Sequence, residues 1–146
     1  MLFSLYTNSD SYEYNKDSHC TKIMVLDDDF DIATLVKMTL QRNGFKNVFV
    51  FIDPLSALKH FRINHMTYSL VISDIRMPIM NGFEFVRELS RIKPEIKIIF
   101  MTAFDANDND LLAMNLKYGK NVGGIIQKPV SPKKLAKIVA ATTARI

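Results

Sequence analysis

A chain of 146 residues, 48% hydrophobic and 23% charged, holds one domain with a sizeable core, which argues against disorder. Its formal charge of +4 is dispersed apart from one small cluster at Lys133, Lys134 and Lys137, so that cluster reads as a solvated helix face and no direct nucleic-acid partner is expected. The single cysteine, Cys20, excludes an internal disulfide and fits a reducing compartment, and His19 beside it falls short of a structural zinc set.

No apolar run approaches the length of a membrane span, and the start MLFSLYTNSD lacks the basic and apolar regions of a secretion signal. The expectation is a cytoplasmic protein without a membrane partner. Residues 1–20 show no period and are expected to form a mobile extension, with Tyr6, Tyr12 and Tyr14 available to dock. Residues 21–146 are expected to form the domain.

Lys22–Leu26 is a β-branched and apolar run that ends in Asp27, Asp28 and Asp29, which predicts a first strand. Ile32, Leu35, Val36, Thr39 and Leu40 then recur at helical spacing until Asn43-Gly44. Asn47–Ile52 is a second strand, and Asp53-Pro54 reads as an N-cap and helix start for Leu55, Leu58 and Phe61. Leu70–Ser73 is a third strand that delivers Asp74, followed by a turn through Met77-Pro78 and Asn81-Gly82. Its helix carries Phe85, Val86, Leu89 and Ile92 and stops at Pro94.

Ile96–Met101 is a fourth strand ending at Thr102, and a helix with Leu111, Leu112 and Met114 is expected to follow. Gly119, Gly123 and Gly124 break that pattern before a short strand, Ile125–Gln127, and Lys128. Ser131-Pro132 then caps a last helix with Leu135, Ile138, Val139 and Thr142.

Five strands alternating with five helices predict an α/β fold: one doubly wound, flavodoxin-like parallel sheet of order 2-1-3-4-5 with helices on both faces. In such a sheet the strand tips share one edge, so Asp27, Asp28, Asp74, Thr102 and Lys128 converge there. Crowded carboxylates repel, and a hard divalent cation such as Mg²⁺ relieves them through oxygen ligands. Such an ion most often assists a phosphoryl group, and a carboxylate can accept one as an acyl phosphate. Asp74, on the central strand, is best placed to do so. Lys128 and Thr102 can hold phosphoryl oxygens.

The combination of LDDD at 26–29, SDIRMPIMNG at 73–82, MTA at 101–103 and QKP at 127–129 resembles the receiver domain of two-component response regulators. The resemblance implies that Asp74 is the phosphoacceptor for a sensor histidine kinase or phosphotransfer protein. It implies that Asp27, Asp28, Asp74 and the backbone carbonyl of Arg76 arrange Mg²⁺, that Thr102 and Lys128 act on the phosphoryl group, and that Lys128–Pro129 is cis. The protein would then be a phosphoacceptor switch rather than a turnover enzyme, catalysing only its own phosphotransfer and slow dephosphorylation. Its downstream protein partner is unidentified, and self-association is left open.

Three departures from the family stand out. The switch position three residues before the lysine, usually Tyr or Phe, is Ile125, which has no ring to swing. The segment from Thr102 to Lys128 is longer than expected and rich in polar residues and glycine. Phe104 and Arg76, two residues after Thr102 and Asp74, are expected to shield the acyl phosphate from water. The alternative reading is a receiver-like interaction module that acts without phosphorylation. A Mg²⁺-dependent phosphatase would ask for a D-x-D arrangement, and Arg76 occupies its second acid position. A nucleotide-binding enzyme lacks its Gly-rich loop after the first strand. The chain ends soon after the last helix, so either it acts alone or its output domain belongs to a longer regulator.

Overall fold

The computed structural model describes residues 21–103 and 121–144. The expected N-terminal extension, the helix expected around Leu111 and the shielding residue Phe104 lie outside them. The described chain runs β1 (Lys22–Leu26), α1 (Phe30–Arg42), β2 (Asn47–Phe51), α2 (Pro54–Asn64), a 3₁₀ turn (His65–Thr67), β3 (Tyr68–Asp74), α3 (Gly82–Ile92), β4 (Lys97–Thr102), β5 (Val122–Gln127) and α4 (Pro132–Thr143). The strands form one parallel sheet of order β2-β1-β3-β4-β5, as expected. Among the described residues no helix is long and apolar enough to cross a membrane.

The central strands carry unbroken apolar runs because both of their faces are covered. Side chains alternate between two cores. Met24, Leu26, Val71 and Phe100 pack with Phe61 of α2 and Phe85 and Leu89 of α3. Ile23, Val25, Ile72 and Met101 pack with Val36 of α1 and Leu135 and Val139 of α4. Burying one such aliphatic side chain stabilises the fold by roughly 1.5–3 kcal/mol, and this term holds the short helices in place.

The helix starts follow their caps. Asp29 accepts from the amides of Asp31 and Ile32, Asp53 from those of Leu55 and Ser56, Asn81 from Glu84, and Ser131 from Lys134. The third aspartate of the first cluster is thus committed to starting α1. Leu35 and Leu55 are about half exposed, and the buried faces of their helices instead run through Ala33, Val36 and Leu40 and through Ala57, Leu58 and Phe61. The alanines supply the close contacts that a search for large apolar residues passes over.

β5 starts at Val122 rather than Ile125. The glycine pair does not break the strand. A methyl on Gly123 would collide with the side chain of Thr142, and one on Gly124 with that of Ile138. Both glycines let α4 lie close against the strand. One residue in the β3–α3 loop, Ile79, adopts φ +73°, unusual for a β-branched side chain, and is largely exposed.

Candidate functional site

The pairing register places the rim residues. Leu26 lies opposite Ser73, Asp74 opposite Met101, and Thr102 opposite Gln127. Asp74 and Thr102 are the last residues of β3 and β4, and Asp27 and Lys128 lie one residue past the ends of β1 and β5, so all four sit at the carboxyl edge of four adjacent strands. Backbone hydrogen bonds continue past the strand ends: Asp27 N to Phe51 O (3.1 Å), Ile75 N to Met101 O (3.0 Å) and Lys128 N to Thr102 O (2.7 Å). The peptide bond between Lys128 and Pro129 is cis, as the resemblance implied.

The side chains meet at Lys128. Its Nζ lies 2.7 Å from Asp27 Oδ2 and 3.2 Å from Asp74 Oδ2. Asp27 is fully buried, and its Oδ1 accepts from the Asp29 amide at 2.9 Å. Asp74 and Thr102 are buried as well, while Asp28 is exposed at the mouth. Asp27, Asp28 and Asp74 can each offer one carboxylate oxygen such that all three lie within 4.8 Å of one another. Arg76 is exposed in the β3–α3 loop. Ile125 is half-buried in β5, against the core shared with α2 and α3.

Burial dominates the electrostatics. It raises the Asp74 carboxyl, the Asp27 charge raises it further, and Lys128 only partly opposes them, leaving Asp74 pushed up to about 6. Burial also raises Asp27, against the ion pair with Lys128 and the Asp29 amide. Lys128 itself is pulled down by burial, yet contact with Asp27 and the charges of both aspartates carry it above its ordinary value.

One ammonium thus serves two buried carboxylates beside a third acid. Asp27 Oδ2 is fully buried, and Lys128 Nζ at 2.7 Å is its partner among the described residues. Three hard oxygen donors within 4.8 Å of one another and three carboxylates against one ammonium fit a divalent cation of the Mg²⁺ type.

The sequence reading did not anticipate the role of Gly82 in shaping this site. Its amide donates to Ile75 O at 2.8 Å, and a methyl there would collide with the Asp74 carbonyl oxygen. The Asn-Gly pair is visible in the sequence as a chain reversal, but the close approach to Asp74 is a tertiary fact. Ser73 is a second such residue, with its buried hydroxyl donating to the Asp74 carbonyl at 3.0 Å.

Known proteins share this arrangement of the chain. It is 34% identical over 85 residues to the response regulator receiver protein CpdR of Brucella abortus, an alignment covering 58% of this chain and 68% of that protein. It is 30% identical over 127 residues to the probable transcriptional regulator ycf29 of Pyropia yezoensis, covering 85% of this chain but 54% of that longer protein. The crystal structure of a response regulator receiver domain protein from Clostridium thermocellum superposes with a TM-score of 0.74 at 28% identity, covering 86% of this chain and 95% of that one. Residues 23–140 match the family model of the response regulator receiver domain. On the extent of that match and a shared sheet order, the chain belongs to the family of response regulator receiver domains.

Proposed function

We propose that this receiver domain is a phosphoacceptor switch in which Asp74 takes a phosphoryl group from the phosphohistidine of a sensor histidine kinase or phosphotransfer protein. The observation that carries the reading is the Lys128 ammonium held 2.7 Å from Asp27 and 3.2 Å from Asp74 at the tips of neighbouring strands. A carboxylate oxygen of Asp74 forms the new bond to phosphorus as the bond to the donor's imidazole nitrogen breaks. The imidazole keeps the electron pair and takes up a proton from solvent.

Lys128, already beside the acceptor oxygen, pairs with one phosphoryl oxygen, and the Thr102 hydroxyl donates to another. Asp27, Asp28, Asp74 and the Arg76 carbonyl would hold Mg²⁺, which when bound supplies charge to the phosphoryl oxygens and favours the ionised carboxylate. Arg76, together with Phe104, limits the approach of hydrolytic water. A cytoplasmic location fits a phosphohistidine donor of this kind.

The test is incubation with acetyl phosphate and Mg²⁺, with the acyl phosphate detected by intact mass. Uptake is expected in the wild type and absent from Asp74→Asn. Failure of the wild type to take up phosphate, with Mg²⁺ bound, would favour the second reading, an interaction module that works without phosphorylation. Ile125 is the observation on that side, since an aliphatic side chain packed against the core offers no ring to reorient.

A further inference from the structure

The sheet ends at β2 in an edge without the usual protection. Among the described residues β2 pairs with β1 alone, in regular register over Asn47–Phe51. Edge strands are ordinarily blunted by a charge, a proline or a bulge. The sequence NVFVF contains none of these. At the other edge, β5 shifts register against β4 and carries two glycines.

The outward groups can be identified. The Asp27 amide donates to Phe51 O, so the backbone groups of Phe51 point into the sheet. Alternation along the strand turns those of Phe49 inward as well and those of Val48 and Val50 outward. Among the described residues neither valine has a backbone partner on that side. The side chain above this edge is Phe49, 43% exposed, with Tyr68 edge-on to its ring and the Lys22 ammonium 4.7 Å from its centre. Lys46 precedes the strand and Asp53 follows it, and neither has an ion-pair partner among the described residues.

We propose that β2 is a pairing edge for a second copy of this chain, the two β2 strands running antiparallel about a two-fold axis at Phe49. An isologous contact asks a surface to be complementary to itself, and this strand is. Its apolar middle opposes no like charges, and reversal brings the lysine end of one copy towards the aspartate end of the other. The register follows from the outward groups. Val48 of each copy lies opposite Val50 of the other, and the two residues exchange amide-to-carbonyl hydrogen bonds. Phe49 then faces Phe49 as a closely spaced, non-hydrogen-bonded pair. Centring the axis on Val50 would instead pair Val48 with Ile52, which lies past the end of β2.

The two five-stranded sheets become one, and their acid rims open at opposite ends of it, so neither copy covers the other's Asp74. The pairing edge does not depend on the phosphoacceptor reading. A contact built on one strand is small, so dissociation is expected between about 1 μM and about 1 mM.

The experiment is sedimentation velocity of the whole protein across that range, for wild type, Phe49→Glu, Phe49→Lys and an equimolar mixture of the two variants. Wild type is expected to dimerise. Each variant alone sets like charges face to face on the axis and should associate about tenfold or more weakly, while the mixture should recover association. Amide hydrogen exchange at Val48 and Val50 should slow as wild-type concentration rises. Lys22 beside position 49 can pair with the new carboxylate, so Phe49→Glu is the variant expected to keep its fold.

A second measurement does not need charge at that position. In a Cys20→Ser background, Phe49→Cys should form a disulfide-linked dimer with oxidised glutathione, since paired Cα atoms about 4.5 Å apart suit a disulfide. Leu55→Cys, exposed to a similar degree, should not. A wild type that stays monomeric throughout, with the Val48 and Val50 amides protected or not, would overturn the proposal. So would a dimer indifferent to both charges, a mixture no more associated than its components, or equal cross-linking from positions 49 and 55.

Discussion

Gly82→Ala sets two effects of known size against each other. An alanine in a helix interior is favoured over glycine by about 1 kcal/mol, and by less at a first helical position such as this one. Against that, the new methyl carbon would collide with the Asp74 carbonyl oxygen and lie 3.0 Å from Ile75 Cα and 3.1 Å from the Asp74 carbonyl carbon. All three atoms are backbone, so no side-chain rotation relieves them. Overpacking of this kind costs about 1–3 kcal/mol, which exceeds the propensity gain. The net expectation is a loss of about 1–2 kcal/mol, and for a domain of this size a melting temperature lower by roughly 3–10 °C.

Two of the three crowded atoms belong to Asp74, so acyl-phosphate yield from acetyl phosphate should fall together with stability. Gly44→Ala is the control. Gly44 has φ +91° but no atom within 4 Å of an added methyl, so its substitution strains the backbone far from the rim. It should lower stability and leave phosphate uptake unchanged. Thermal melts by circular dichroism and intact-mass yields are sufficient. If Gly82→Ala melts at or above wild type with normal uptake, the close approach at Asp74 does not constrain the site.

If Asp27, Asp28 and Asp74 hold Mg²⁺ as we propose, the ion should relieve their mutual repulsion and raise the melting temperature. At ten times its dissociation constant it stabilises the folded state by about 1.4 kcal/mol, and Asp27→Asn/Asp28→Asn should abolish the increment in a titration followed by melting. His60 places Nε2 2.7 Å from the Tyr68 hydroxyl, and burial first, then the Lys22 charge, holds its pKa below the ordinary 6.5. The unfolded chain therefore binds a proton before the folded one does. His60's contribution is full above pH 6.5 and is lost as pH falls from there through the folded value. Asp74, raised in the folded state, works in the opposite sense, so the measurement is the difference in urea midpoint between wild type and His60→Phe across that range. A difference independent of pH would contradict it. Arg76→Ala should shorten the lifetime of the acyl phosphate, and a hydrolysis rate unchanged or slower would remove Arg76 from the shield.

Much of this molecule is legible in its sequence because the parallel sheet converts strand endings into spatial neighbours. Leu26, Ser73, Met101 and Gln127 are each followed by a residue with chemistry to offer, within the strand end for Asp74 and Thr102 and one residue past it for Asp27 and Lys128. The N-caps Asp53 and Ser131 were equally readable, since the Pro that follows each one signals a first helical position. Local pattern misleads where the decisive atom is distant in the chain. Gly123 and Gly124 resemble breakers until Thr142 and Ile138 are seen lying over them. Leu35 and Leu55 have the right spacing for a core but face outward, and the division of labour among Asp27, Asp28 and Asp29 is invisible in three identical letters.

The amide of Lys128 is bonded to the carbonyl of Thr102, and the amide of Ile75 to that of Met101. The first of these bonds joins the backbone of the hydroxyl residue directly to that of the ammonium residue. If Asp74 is the phosphoacceptor we propose, this backbone link is a route from the acid centre into β5 that asks for no rotating ring at position 125.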